Sequence, residues 1–390
     1  MRVVLAPEGS RGDVQPLLAL GQALEDAGCE VAMCASPDAE ALVSGHGIEF
    51  RAMPIDVREF IEANAALIVE GFARFRKAAA SFFDEAMRQQ FPALFEHTRD
   101  ADLVIGGGIQ LAAASAAEAH GIPHRLVAYC PTFLRSGDHP PFVVERQLRT
   151  PWLNRLLWSV FVPAYSWALR STLADRRAEL GLAPVAAVYD QLMAGGVLLA
   201  TDPELAPSPA DCPFPVEQLG FLFPPETEAL PAKLDAFLDA GPKPVYIGFG
   251  SMPDPTPEAT TRMLVESIGA AGVRAVISQG WGGLGCGPLP ESVIVVGPVP
   301  HAKLFARVTT VVHHGGAGTT HTAARAGVPQ LIVPHLLDQY YWAEVVRRRG
   351  LGPPAISRRQ LTGNHLATFL IEASAAEEIL RSVSTRARVK

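Results

Sequence analysis

Short apolar, β-branched runs alternate along this chain with longer stretches whose apolar positions recur at helical spacing. That alternation is the pattern of parallel α/β units. In the first half, residues 2–6, 30–35, 102–106 and 125–130 read as strands. In the second half the candidates are residues 244–249, 273–278, 293–297, 309–313 and 330–334. Their near-continuous hydrophobicity suits strands buried on both faces. The first strand leads into a helix over 17–28, with Pro16 at an early helical position. Residues 55–97 read as long and mostly helical. Residues 202–231 hold eight prolines: Pro203, Pro207, Pro209, Pro213, Pro215, Pro224, Pro225 and Pro231. Proline removes backbone donors and stiffens the chain, so an extended linker with about one strand is expected there. The division is a first domain over 1–205, a linker over 206–242 and a second domain over 243–390, with the last helix free to pack back on the first domain. The fold class is α/β, two doubly wound Rossmann-like domains facing each other across a cleft, with ligands beyond the carboxyl ends of the strands.

Composition narrows the function. The chain has 390 residues, 48% of them hydrophobic and 19% charged, which is globular and long enough for two or three domains. A net charge of −7 argues against a nucleic-acid partner. Five cysteines without C-x-x-C spacing read as free thiols in a reducing compartment, so a cytoplasmic location is expected. The opening apolar run is too short for a signal peptide. No uninterrupted apolar run reaches membrane-spanning length, residues 156–169 coming nearest. Three of the five tryptophans, Trp152, Trp158 and Trp167, lie in or beside that run. A lipophilic pocket, a peripheral membrane contact and plain core all suit them, with core the default.

The residues with chemical promise cluster after strands. In His313-His314-Gly315-Gly316-Ala317-Gly318-Thr319-Thr320 a strand ends, small residues turn, and a helix begins. Helix starts offer unpaired N–H groups to anions, and glycines let a phosphate approach. A strand–helix turn whose glycines only solve packing is the plain reading beside it. Phe249-Gly250-Ser251 repeats the arrangement, and two such loops on one sheet favour a diphosphate. After the first strand come Gly9-Ser10-Arg11-Gly12-Asp13; Asp13 is placed either to cap the helix or to take a proton from a substrate hydroxyl. Asp338 and Gln339 follow the strand over 330–334 and are expected to project into the cleft, where an acid and an amide suit hydroxyl recognition. Gly280-Trp281-Gly282-Gly283-Leu284-Gly285 matches G-x-G-x-x-G, but the prolines after it cannot open the required helix; Trp281 is left to stack on a base or cover the edge. Asp100-Ala101-Asp102 resembles a metal-binding pair at the wrong end of its strand, so no metal is expected.

Together the 9–16 start, the 248–251 loop, the 313–320 run and the downstream Asp338-Gln339 pair resemble the bacterial family 1 glycosyltransferases of GT-B fold, especially those that decorate glycopeptide and macrolide antibiotics. The start is similar to sterol and glycolipid glucosyltransferases too. The resemblance implies inverting, metal-independent hexosyl transfer from a nucleotide-diphosphate sugar, TDP- or UDP-, used as co-substrate without a cofactor. It implies Asp13 as general base. His314 with Gly316, Ala317, Gly318 and Thr319 would hold the diphosphate, Ser10 and Ser251 would touch the donor phosphates, the Val299 backbone would meet the base, and Asp338 and Gln339 would read the sugar; Arg11 and Trp281 join the donor-binding candidates from their own loops. Phe75, Phe133 and Phe142 are candidate acceptor contacts. Thr322 stands where plant relatives place a ribose-binding glutamate, which leans toward a thymidine-type donor. Alternatives are a sterol or glycolipid glucosyltransferase at a membrane surface, a nucleotide-sugar 2-epimerase, and a non-catalytic helper of a partner enzyme.

Overall fold

Twelve strands form two wholly parallel sheets among the described residues, which are 1–224 and 228–388 of this computed structural model. The first sheet contains β1 (Arg2–Pro7), β2 (Glu30–Ala35), β3 (Glu49–Ala52), β4 (Leu103–Gly107), β5 (His124–Ala128), β6 (Val197–Leu199) and β7 (Val216–Gln218), in the order β3-β2-β1-β4-β5-β6-β7. The second contains β8 (Val245–Gly248), β9 (Ala275–Ser278), β10 (Val293–Val296), β11 (Val311–His313) and β12 (Gln330–Ile332), in the order β10-β9-β8-β11-β12. Backbone contacts group Met1–Phe60 with Phe75–Pro225, and Ile61–Arg74 with Glu226–Lys390. Arg359 helps tie the shorter segment to the second group, donating to the Glu70 carbonyl at 3.1 Å.

All nine expected strands are present, each within two residues at either end. Strands β3, β6 and β7 were not foreseen individually. β3 is a half-exposed edge strand, while β6 and β7 are three residues each, too short for a period to show. β7 lies inside the proline-rich stretch and joins the first sheet; Pro225 lies outside the described residues.

Alternation along the strands fills both faces. In β1, Val4 and Ala6 enter one core, with Phe91, Leu94 and Trp158. Val3 and Leu5 enter the opposite one, with Leu17, Leu18 and Met33. In β8, Val245 and Ile247 meet Leu264, Ile268 and Leu366, while Tyr246 on the other face meets Leu304 and Phe305. The helix after β1 departs from expectation: it spans Arg11–Asp26, so Pro16 sits within it and removes a helical bond. Its early start follows from Ser10, the N-cap, and Asp13, which completes a capping box.

Arg177 locks the long helix Pro151–Glu179 to the helix Leu111–His120. It is 2% exposed, donates to both Glu118 carboxylate oxygens at 2.8 Å, and bonds the Ala183 carbonyl at 2.8 Å. Its hydrogen bonds hold the Glu118 carboxyl below the ordinary range. We expect Arg177→Ala to cost about 2 kcal/mol, less than a fully buried pair, because Glu118 keeps water contact. A depressed carboxylate stabilises above its unfolded pKa and loses that contribution as pH falls through its folded value. The variant's deficit in urea denaturation should therefore shrink in acid; a pH-independent deficit would assign the loss to packing.

Candidate active site

Each sheet reverses its direction of strand addition once. In the first this happens between β1 and β4, in the second between β8 and β11. At such a point the flanking loops part and leave a crevice at the carboxyl edge. The candidate loops sit there: residues 8–10 after β1, residues 249–252 after β8, and residues 314–316 after β11.

In the second unit, the helix Ala317–Arg325 starts directly behind β11 with Gly316 as N-cap and no side chain capping it. Ala317, Gly318 and Thr319 therefore present N–H groups with no partner inside the helix. Thr320 and Thr322 turn their hydroxyls inward to the Gly316 and Gly318 carbonyls at 2.9 and 2.8 Å. The His314 ring lies between two loops: a Cβ added at Gly250 or at Gly316 would stand 2.7 or 2.6 Å from it. Any larger residue there would displace the imidazole. Burial, helped by the charge of His301, pushes the His314 pKa down to about 4, and its Nδ1 is buried without a partner. The ring is neutral, so it offers one N–H rather than a charge. Trp281 joins the group through its backbone N–H, which donates to the Gly250 carbonyl at 3.0 Å. The G-x-G-x-x-G stretch opens no helix. Ser251 lies partly buried beside Gly250. Val299 follows β10, which β9 separates from β8, and packs partly buried against the core that holds Tyr246, Leu304 and Phe305.

A histidine behind the loop holds it. His313, fully buried, accepts the Gly315 N–H at Nδ1 (3.1 Å), and its Nε2 bonds Gln330 Oε1 at 2.9 Å. Gln330 in turn donates to the Thr320 carbonyl at 3.3 Å. Desolvation pushes His313 down to about 3. Sequence reading missed this relay because its members lie 17 residues apart; the doubled histidine was the one available signal.

The β12 loop corrects an expectation. Gln339 does not project outward: it is 4% exposed, its Oε1 accepts the His335 and Leu336 N–H groups at 2.7 and 3.2 Å, and its amide nitrogen faces Met252 Sδ at 3.3 Å. The loop preceding it has no other cap, so the amide serves the backbone. Asp338 bonds the Trp342 indole N–H at 3.2 Å, and burial pushes its pKa up to about 6. Leu337 before it has φ 52°, the one positive φ outside glycine among the described residues and a strained state for a γ-branched side chain.

In the first unit Ser10 and Asp13 come together. The Ser10 N–H donates to Asp13 Oδ2 at 2.8 Å, and Gly12 N–H donates to Ser10 Oγ at 3.3 Å. The capping reading of Asp13 is thus observed, and the cap stands at the carboxyl edge of the first sheet. Gly9 has φ +138°, and a Cβ there would strike the Asp13 carboxylate. Tyr129 anchors the turn from below, donating to the Asp13 carbonyl at 2.8 Å. Arg11 is exposed at the first helical position. A second carboxyl was missed: Glu8, partly buried at the end of β1, within 3.4 Å of the Gln90 amide. Desolvation pushes Glu8 up to about 8, with the Asp13 charge adding and the Gln90 bond opposing. Its place directly after a strand was the signal. The Asp100-Asp102 pair sits at the amino edge, where Asp100 pairs with Arg2 and Arg51 and Asp102 accepts the Arg2 N–H.

The acceptor candidates separate. Phe133 and Phe142 stack at 4.5 Å and continue through Phe161 to Trp158. Phe75 is buried in another group, 5.5 Å from Phe60. The tryptophans also divide: Trp158 is 1% exposed and donates to the His139 carbonyl at 3.0 Å, whereas Trp152 and Trp167 are exposed.

Comparison with known proteins agrees in both halves. The profile of the glycosyltransferase family 28 N-terminal domain matches residues 3–129, and that of the erythromycin biosynthesis protein CIII-like C-terminal domain matches residues 264–388. The vancomycin aglycone glucosyltransferase of Amycolatopsis orientalis is 36% identical over 358 residues, covering 90% of this chain and 85% of its own. The sterol 3-beta-glucosyltransferase UGT80B1 of Arabidopsis thaliana is 30% identical over 410 residues, covering 97% of this chain and 64% of its own. The crystal structure of glycosyltransferase VinC in complex with dTDP shares the fold, with a TM-score of 0.66 at 24% identity over 98% of this chain and 94% of that one.

Glu8 makes stability depend on pH. Between the ordinary glutamate value of 4.5 and about 8 the folded unit holds a proton that the unfolded chain gives up, so stability falls as pH rises through that window. Glu8→Gln cannot ionise and escapes the loss. Its melting temperature should gain on the unsubstituted protein as pH climbs from 4.5 to about 8 and then keep a constant lead; parallel curves through that window would place the proton elsewhere.

Proposed function

This chain belongs to the glycosyltransferase family that includes the vancomycin aglycone glucosyltransferase and the sterol 3-beta-glucosyltransferases, and from that premise we infer its reaction. It moves a hexose from a TDP- or UDP-activated donor to a hydroxyl of a lipophilic natural product, inverting the anomeric carbon. The observation that carries this reading is the uncapped start of the Ala317–Arg325 helix with the neutral His314 beside it. Such a start stabilises charge that grows on a departing diphosphate, since its dipoles are already aligned.

The steps follow from these groups. The acceptor hydroxyl gives its proton to the Asp13 carboxylate as its oxygen bonds the anomeric carbon from the face opposite the leaving group. The bond from that carbon to the diphosphate oxygen breaks, and its electron pair leaves with the nucleoside diphosphate. The N–H groups of Ala317, Gly318 and Thr319 and one N–H of His314 receive the new charge. These donors do the work a metal ion does elsewhere, so the transfer is metal-independent and needs no cofactor. Ser10, Arg11 and Ser251 complete the phosphate contacts, and Asp338 reads the sugar. Gln339 contributes by fixing the loop that carries Asp338. Phe133 and Phe142, stacked on one cluster, line the acceptor side.

A sterol or glycolipid acceptor is the second reading. The similarity to UGT80B1 favours it. A mass-spectrometric screen of UDP- and TDP-sugars against polyketide, glycopeptide and sterol acceptors separates the two, and a chain that transfers to none of them contradicts both.

Asp13→Asn should lower turnover by at least about a hundredfold while donor affinity stays within a few-fold. A matching loss of donor affinity would make Asp13 structural. His314→Ala should weaken nucleotide-diphosphate binding in calorimetry by roughly tenfold or more. An unchanged dissociation constant would remove His314 from the donor site.

A further inference from the structure

The long helix Pro151–Glu179 has two apolar faces. One is buried: Trp158, Val162 and Leu173 enter the core, with Phe161 and Tyr165 beside them. The other is open. Trp152 is 66% exposed, Leu156 51%, Val160 63% and Trp167 69%, and Pro163 is exposed among them. Steps of four, four, three and four residues place all five on one stripe, about 22 Å long. A stripe with two bulky aromatics in water is unusual on a closed surface.

The surrounding charge indicates what covers it. No acidic residue occurs between Glu145 and Asp175, while Arg146, Arg149, Arg155 and Arg170 fall in that interval, all exposed. Asp211 from a neighbouring loop pairs with Arg155 at 2.9 Å. The chain as a whole carries −7, so this cationic margin runs against the general charge. Tryptophans near both ends of an apolar stripe, flanked by arginines, match the layered chemistry of a bilayer surface: rings at the headgroup level, aliphatic side chains below, guanidinium groups on phosphates. No helix among the described residues is long and apolar enough to cross a membrane, so the contact would be peripheral.

We propose that the Trp152–Trp167 face of this helix docks on an anionic lipid surface. The interaction is independent of which acceptor is glycosylated, because its readout is binding and not turnover.

The test is flotation of the full chain with vesicles of phosphatidylcholine alone and of phosphatidylcholine and phosphatidylglycerol in equal parts. The unsubstituted protein should float with the mixed vesicles, much less with the neutral ones, and less in high salt. Trp152→Ser with Trp167→Ser should lower the partition coefficient at least about tenfold. Arg146→Gln with Arg170→Gln should lower it on the order of fivefold for each charge. Circular dichroism and melting temperature verify that the variants fold, which the exposure of all four residues favours. Three results would overturn the proposal. They are no flotation of the unsubstituted protein, equal flotation of the folded tryptophan pair variant, or an oligomer in solution that the tryptophan substitutions dissolve, which would give the stripe to a second copy of the chain.

Discussion

A helix that begins where a buried parallel strand ends has backbone N–H groups that none of its own carbonyls can reach. Much of this protein's chemistry follows from how that debt is settled at two switch points. After β1 it is settled within the chain: the Ser10 hydroxyl accepts from Gly12, and the Asp13 carboxylate accepts from Ser10. After β11 no side chain caps the helix, and Gly316 leaves the first N–H groups open. The same local geometry thus yields a capping carboxylate in one unit and an uncapped helix start in the other. The difference lies in a handful of residues, with Asp13 in the first turn of one helix and glycines at the start of the other.

Burial then sets the charge of each group. His313, His314 and His335 are all desolvated far below the ordinary imidazole value. A charged imidazolium beside the open helix start would bind any phosphate tightly in every state. A neutral one offers direction without a fixed charge. In the proposed transfer such a donor would gain most late in bond breaking, when negative charge on the leaving group is densest. In the first unit, Glu8 stays protonated through neutral pH. A second carboxylate charge so near Asp13 would oppose its ionisation, and keeping the proton on Glu8 removes that conflict.

What the sequence disclosed depended on whether the signal was local. The 313–320 run could be read because a strand end, a turn and a helix start are contiguous, and each residue type has a local reason. Asp13 was placed on the right edge although its helix starts at Arg11, because Ser10 and Asp13 form a cap at three-residue spacing that an interior Pro16 obscures. Gln339 was misjudged in direction. Its role depends on which way the loop before it turns, and that turn rests on Leu337 in a conformation few side chains adopt. The His313–Gln330 bond joins neighbouring strands β11 and β12, a pairing fixed by sheet order and not by any period along the chain. β6 and β7 escaped for the same reason: their pairing partners define them.

The helix Pro151–Glu179 shows why burial must be assigned residue by residue. Its tryptophans all fall in one apolar stretch, and composition treats them alike. Helical phase separates them. Trp158 lies six residues from Trp152 and nine from Trp167, steps that leave it on a different face from either. The inner face has a hydrogen-bond acceptor ready, the His139 carbonyl, and Trp158 uses it. Trp152 and Trp167 share the outer face, where their rings stay in solvent. A core needs one such face. The second costs solubility unless something covers it, and the arginines beside it favour an anionic cover.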